Sequence, residues 1–439
     1  MVSLDDFIDG PLADDCASIR RALERVNTQE QVAKCVDGVA AVSNWRDYLL
    51  NRPPALFDYQ EEVAERVMLQ WEEGARRVMA SLPTGGGKTR VGLWLAREQL
   101  LRNGAECVLW IAPASELVEQ ARATLDSFWF DRGDCQGVRV KTHHLEPVVR
   151  PSRREAGTIT LCTVQLATSR LRQGIAYEPD VVVFDEAHQA AAKTYRNVIE
   201  RLSGDSNKNI LGLTATPGRA RAEETHNLSD LFDGNLVAPN SLGPHPVNAL
   251  RERGVLAQVE FHRISLPTGW ESLRVTPWDR GGPSVAELSL NAARFWAVVR
   301  TAIEVSQNRR CLVFGASIAH CEALAAAIGS QGVGVEVISH EQAKDERDRK
   351  ISAFKHRFIS VLINKNIMST GYDDPELGDV ILASPIRSPI QWEQIVGRIS
   401  RGPAVGGTAM ARVWELDDHH GLHERVMAAQ RFSGEWGVA

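Results

Sequence analysis

The sequence predicts an α/β protein of two parallel-sheet domains in tandem, with a short helical appendage at the N-terminus. Three observations carry this. Residues 78–90, VMASLPTGGGKTR, read as a small apolar strand, a glycine loop and the start of a helix. Short apolar runs then alternate with amphipathic stretches for about 150 residues, the pattern of a parallel sheet buried on both faces. The same alternation resumes near residue 286.

In chain order, residues 1–52 are polar with apolar positions at helical spacing (Ile19, Leu23, Val26), closed by the proline stop Asn51-Arg52-Pro53-Pro54. They form the expected appendage. The first domain spans 53–235. Its opening stretch, 55–75, predicts a helix. The runs 107–113, 158–164, 180–187 and 209–216 predict strands, and 115–128 predicts a helix between two of them. Residues 236–285 break the rhythm with Pro, Gly and Trp and read as a connector. The second domain spans 286–439, with strands expected at 311–317, 335–339, 359–364, 379–384 and 411–418 and a helix from Ile390.

Composition places the chain among soluble globular proteins, with 44% hydrophobic and 24% charged residues. The N-terminus is acidic where a secretion signal is basic and then apolar, and no apolar run approaches the ~20 residues that cross a bilayer. The seven cysteines form no C-x-x-C pair, which fits buried thiols of a cytoplasmic protein. A formal charge of −6 does not advertise nucleic-acid binding, so such binding needs a local groove. Trp270 and Trp278 in the connector fit packing against a domain better than base stacking. Asp417-Asp418-His419-His420 reads as a solvated turn, not a metal site.

The chemistry concentrates in two places of the first domain. Gly85, Gly86 and Gly87 let backbone N–H groups approach phosphate oxygens without a Cβ in the way. Lys88 supplies a charge for the outer phosphates, and Thr89 a hydroxyl for Mg²⁺. Leu82 stands where the strict G-x-x-x-x-G-K-[ST] pattern has its first glycine. After the apolar run VVVF come Asp185-Glu186-Ala187-His188. Carboxylates at the C-terminal end of a parallel strand face the ligand crevice. Asp185 suits the metal and Glu186 the polarisation of an attacking water.

With these motifs the chain resembles the superfamily 2 DEAD/DEAH-box helicases and translocases, over about residues 55–418. The likeness implies two RecA-like domains with ATP and Mg²⁺ in the cleft between them. SLPTGGGKT (81–89), which contains Thr84, resembles motif I, DEAH (185–188) motif II, and LTATP (213–217) motif III. By resemblance, His188, Thr214 and Thr216 couple hydrolysis to the second domain. Gln60, in DYQ, resembles an adenine-reading glutamine, although Phe57 stands where an arginine is usual. APASELVEQ (112–120), with Pro113, and TVQ (163–165), with Thr163 and Gln165, resemble segments that lie along the nucleic-acid backbone.

In the second domain, QWEQIVGRISRG (391–402) resembles motif VI. Gln394, Arg398 and Arg401 keep i, i+4, i+7 spacing, which predicts one helical face. The resemblance implies that the arginines reach the γ-phosphate across the cleft. INKNIMSTGYDDPEL (363–377) resembles motif V: Thr370 would hold the nucleic-acid backbone, and Gly371 and Asp373 would lie near nucleotide. The forms of motifs III and V are similar to type III restriction- and DNA-repair-type members. DNA is thus the favoured track, and a larger repair, restriction or antiviral complex the favoured setting, with no membrane partner. The alternative is a nucleic-acid clamp or switch subunit that binds ATP without unwinding.

Overall fold

The computed structural model describes residues 45–49, 56–128, 137–142, 155–174, 178–191, 193–203, 208–218, 222–266, 291–365, 374–386 and 389–417. The chain separates into a unit of residues 1–46 and a unit of residues 47–439, and the second holds strands of both sheets. Residues 1–44, most of the expected appendage, lie outside the described residues, as do Trp270 and Trp278.

The first sheet is eight-stranded. Its strands are β1 (Trp45–Leu49), β2 (Arg77–Ser81), β3 (Cys107–Ala112), β4 (Gly137–Thr142), β5 (Glu155–Thr163), β6 (Val181–Phe184), β7 (Asn209–Thr214) and β8 (Leu236–Val237). Their order is β1-β4-β5-β3-β6-β7-β2-β8, and the pairs from β4 to β8 run parallel. Consecutive residues of the central strands enter opposite layers. Val108, Trp110 and Ala112 pack in one core cluster, and Leu109 and Ile111 in the other. Val181 and Val183 part from Val182 and Phe184 in the same way. The continuous apolar runs follow from this, since both faces exclude water.

The second sheet is six-stranded and parallel throughout. It holds β9 (Gln258–Ile264), β10 (Cys311–Phe314), β11 (Val335–Ile338), β12 (Val361–Asn364), β13 (Asp379–Leu382) and β14 (Met410–Leu416), in the order β11-β12-β10-β13-β14-β9. Here too Leu312 and Phe314 face one core layer, while Cys311 and Val313 face the other. Among the described residues, no helix is long and apolar enough to cross a membrane.

Three elements depart from the sequence expectation. Residues 45–49 form a strand, not helix; Trp45 and Tyr48 are β-formers, and the five residues are too few for helical periodicity to show. β4 (GVRVKT) was not predicted, because its charged residues break the apolar run. β9 falls in the stretch read as connector. As an edge strand half open to solvent, QVEFHRI alternates polar and apolar residues and lacks the Val/Ile run of a central strand.

Candidate functional site

Strand register assembles the site. β6, β7 and β2 are neighbours, and Phe184 pairs with Gly212 while Thr214 pairs with Ser81. Asp185-Glu186, Thr214-Ala215-Thr216 and the loop after Ser81 therefore leave the sheet side by side at its C-terminal edge. Leu82 N donates to Thr214 O at 3.0 Å, which ties the loop's first residue to β7. Leu82 is fully buried, so the position that lacks glycine serves as a core anchor.

Within the loop, Gly85 and Gly87 have φ of +86° and +85°, the left-handed region that favours glycine. Gly87 is the N-cap of the helix Lys88–Arg102, and a helix N-terminus in general suits an anion such as phosphate. Gly86 O accepts from Gln60 Nε2 at 2.8 Å and from Tyr59 Oη at 3.1 Å. The helix Asp58–Glu72 thus holds the glycine loop from behind.

Lys88 Nζ bonds Glu186 Oε1 at 2.5 Å. Glu186 Oε2 lies 3.3 Å from His188 Nδ1, which is also 3.2 Å from Thr214 Oγ1. Thr214 Oγ1 donates to Thr216 O and accepts from Thr216 N, both at 3.0 Å. Asp185, Glu186, His188, Thr214 and Thr216 are all buried. Glu186 has φ of +51°, rare for a residue with a Cβ; its N–H donates to Asp185 Oδ1 at 3.0 Å, which holds the turn. Burial works to raise the Glu186 pKa, but Lys88 and His188 override it and hold the carboxyl well below its usual range. Asp185 is pushed up to about 6, chiefly by burial, with Lys88 opposing and Glu186 reinforcing.

The second domain meets this edge through the helix Pro389–Ile399 and the segment after it. A Cβ on Gly397 would collide with Thr84 Cγ2 and Cβ, so helix and loop touch there. A Cβ on Gly85 would lie 2.6 Å from both Arg401 Nη1 and Leu256 Cδ2. Arg401 thus sits over the glycine loop, but not as the helical spacing predicted. The helix ends at Ile399, and Arg401 forms an antiparallel bridge with Leu256. Ala257 N donates to Ser400 O and Gly402 N to Val255 O, both at 2.9 Å, while Pro403 disfavours helix at Gly402. Gln394 is buried in the helix; the Arg398 side chain lies outside the described residues. A cavity of about 340 Å³ opens on this seam, between Thr84 and Ala215 on one side and Trp392, Val396 and Gly397 on the other.

The nucleic-acid candidates of the first domain also come together. Ala112 pairs with Thr163, so Pro113 and Gln165 leave adjacent strands, and Gln165 Nε2 reaches Pro113 O at 3.4 Å. Thr163 Oγ1 caps the helix Val164–Arg172, accepting from Leu166 N at 3.3 Å. Thr370, Gly371 and Asp373 lie outside the described residues. Sequence reasoning assigned no contact to Tyr59, Leu256 or Glu116. Glu116 forms an ion pair with Arg347 of the second domain at 3.4 Å. The Tyr59 contact with Gly86 comes from packing inside the first domain, and those of Leu256 with Arg401 and Glu116 with Arg347 from the packing of the two domains.

Two family models match the chain: "Type III restriction enzyme, res subunit" over residues 54–219 and "Helicase conserved C-terminal domain" over residues 294–402. The Saccharomyces cerevisiae protein named "Putative ATP-dependent helicase IRC3" is 24% identical over 357 residues, 79% of this chain and 49% of that protein. The "DNA 3'-5' helicase XPB" of Kineococcus radiotolerans is 26% identical over 427 residues, 92% of this chain and 68% of that protein. The chain spans about half the length of the first curated relatives it matches. The solved structure of S. cerevisiae Dbp5 bound to RNA and ADP BeF3 shares the fold at a TM-score of 0.56 and 15% identity, over 86% of this chain and 88% of that one. The paired sheets, the loop and DEAH turn at one sheet edge, and the two domain matches together place the chain in superfamily 2 of the helicases, related to its type III restriction and DNA-repair members.

Proposed function

We propose that the chain is a nucleic-acid-stimulated ATP hydrolase that moves along a strand, with DNA as its track. One observation carries the reading: the contiguous contacts Lys88–Glu186–His188–Thr214–Thr216 run from the phosphate loop along the sheet edge that the second domain covers. Lys88 would bind the outer phosphates, and Glu186, held ionised, would take a proton from the attacking water. Arg401, and Arg398 by its motif, would stabilise charge on the transferring phosphoryl group, with Gln394 beside them. The arginines and the loop belong to different domains, so hydrolysis would depend on domain closure.

The donor set fits Mg²⁺, a hard cation that takes oxygen ligands. Thr89 offers a hydroxyl and Asp185 a buried carboxylate. Among the described residues, no group of three or more His, Cys, Asp or Glu could hold a metal ion, so phosphate oxygens and water would complete its shell. Bound there, Mg²⁺ would neutralise charge developing on the phosphates.

The track would cross the C-terminal edges of both sheets. Pro113, Thr163 and Gln165 are gathered on the first, and Thr370 is assigned to the second by its motif, with Gly371 and Asp373 toward the nucleotide. Backbone and hydroxyl groups of this kind hold phosphodiesters without reading sequence. The relative named as a DNA helicase favours DNA over RNA, and the res-subunit match favours work inside a larger assembly.

The test is ATP hydrolysis by the purified chain, alone and with single-stranded DNA, duplex DNA or RNA, with Glu186→Gln as control. DNA stimulation abolished in the variant is the expected result. Hydrolysis indifferent to every polymer would remove the motor reading.

A further inference from the structure

The helix Lys193–Ser203 turns one stripe to the core: Tyr195, Val198, Ile199 and Leu202 are buried at i, i+3, i+4 and i+7. The other three are aliphatic, and packing alone would be served by phenylalanine at the position of Tyr195. Tyr195 is 5% exposed, and among the described residues its Oη has no hydrogen-bond partner. A buried polar group without a partner costs its full desolvation, so a phenol here needs a reason beyond packing.

Its position supplies one. The Tyr195 ring packs against Phe184, with centroids 6.4 Å apart and planes at 51°. Phe184 ends β6 and is followed at once by Asp185. Ala187 and Ala190, in the turn Ala187–Ala191 after the two carboxylates, belong to the same core cluster as Tyr195. The phenol therefore lies under the DEAH turn. Burial, with the negative charges of Asp185 and then Glu186 adding to it, pushes its pKa above the ordinary tyrosine range. It remains an O–H donor at every working pH, and a carboxylate is the strong acceptor for such a donor. Glu186 is already held by Lys88 and His188. Among the described residues, the Asp185 carboxylate has the N–H of Glu186 as its hydrogen-bond donor. A carboxylate that ligates a cation keeps its orientation through the donors behind it, and their loss typically costs about 10–100-fold in metal affinity.

We propose that Tyr195 is a positioning residue for the cation: its hydroxyl donates to the Asp185 carboxylate when Mg²⁺ and nucleotide draw the turn into place, and so fixes the carboxylate that faces the metal. The inference rests on the hydrolysis reading above and adds to it a residue outside its motifs.

The experiment uses Tyr195→Phe in the full chain, with Mn²⁺ as a probe that takes the same oxygen ligands and is counted by electron paramagnetic resonance. Mn²⁺ is titrated onto the chain carrying one equivalent of bound ADP. Its dissociation constant should rise about tenfold or more in the variant. Denaturant unfolding without metal or nucleotide should give a midpoint no lower than that of the wild type, since an unpaired hydroxyl has been removed. Mn²⁺ affinity equal to wild type overturns the inference. A metal-free variant that is less stable, or does not fold, also overturns it, because the hydroxyl then has a structural partner already. If the wild-type chain with ADP holds no Mn²⁺, the hydrolysis reading falls together with the inference. If only the comparison with the variant fails, the hydrolysis reading stands.

Discussion

Lys88 and Glu186, 98 residues apart in sequence, are joined by a bond of 2.5 Å at the C-terminal edge of the first sheet. Glu186 is nearly inaccessible and Lys88 mostly so, with side-chain exposures of 4% and 16%. A buried ion pair costs desolvation on both sides and is not in itself a source of stability. Its value here is geometric: it holds the candidate base beside the candidate phosphate ligand.

Glu186→Gln should lower the stimulated ATP hydrolysis rate by about 10²–10⁴-fold while the chain still binds nucleotide. Lys88→Ala should lose binding as well, and it should destabilise the fold by about 3–5 kcal/mol by leaving Glu186 buried without its partner. Steady-state hydrolysis, nucleotide titration and denaturant unfolding on the same preparations check all three. A Glu186→Gln protein with near wild-type turnover would remove Glu186 from the chemistry.

Thr214 is fully buried, and its hydroxyl meets His188 and both backbone groups of Thr216. Thr214→Val should cost about 1–3 kcal/mol, because the Thr216 groups lose a partner they cannot replace with water. If the hydroxyl also transmits the nucleotide state, polymer stimulation should fall several-fold further than basal hydrolysis. Thr214→Ser, which retains the oxygen, should restore the ratio. Equal losses in both rates would reduce Thr214 to a structural role.

Gly397→Ala places a methyl group against the Cβ and Cγ2 of Thr84, so the helix Pro389–Ile399 must draw back from the glycine loop. Turnover should fall at least about tenfold, as expected when a phosphoryl-transfer arginine is misplaced. Thr84→Ser removes Cγ2 and should recover part of the loss in the double variant. A single Gly397→Ala variant with wild-type turnover would show that this close approach is dispensable.

His320 supplies the pH dependence. Its Nδ1 accepts from Ala316 N at 3.1 Å, which requires that nitrogen to be unprotonated. Burial, followed by the charges of Arg294 and Lys365, pushes its pKa down to about 4, against about 6.5 in the unfolded chain. The unfolded chain therefore binds the proton first. The stability contribution is intact above pH ~6.5 and is lost as pH falls through about 4, by on the order of 1–3 kcal/mol after allowance for partial exposure. Denaturant midpoints at pH 7.5 and 4.5 should differ by more in the wild type than in His320→Gln. An identical pH loss in both would assign it to other groups.

Much of this was legible without coordinates, for physical reasons. The central strands bury both faces, so continuous apolar runs mark them; 107–112 and 209–214 stand out in the sequence for that reason. The glycine loop and DEAH turn are local: backbone conformation and a strand end suffice to define them, and residue type records both. Edge strands leave weaker traces. β4 and β9 are part polar, and their pairing partners lie far along the chain.

The α/β class, the doubled architecture and the residues of the phosphate loop and DEAH turn follow from short-range periodicity and backbone chemistry, and so can be read from the residues alone. Packing was needed to show that Arg401 leaves its helix to pair with Leu256, that Gly397 rests on Thr84, and that Gln60 bonds Gly86. Each of those contacts joins segments brought together by sheet order and domain packing. Helical spacing at 394–401 indicates which face a side chain would take if the helix continued; the bonds from residues 255–257 decide that it stops.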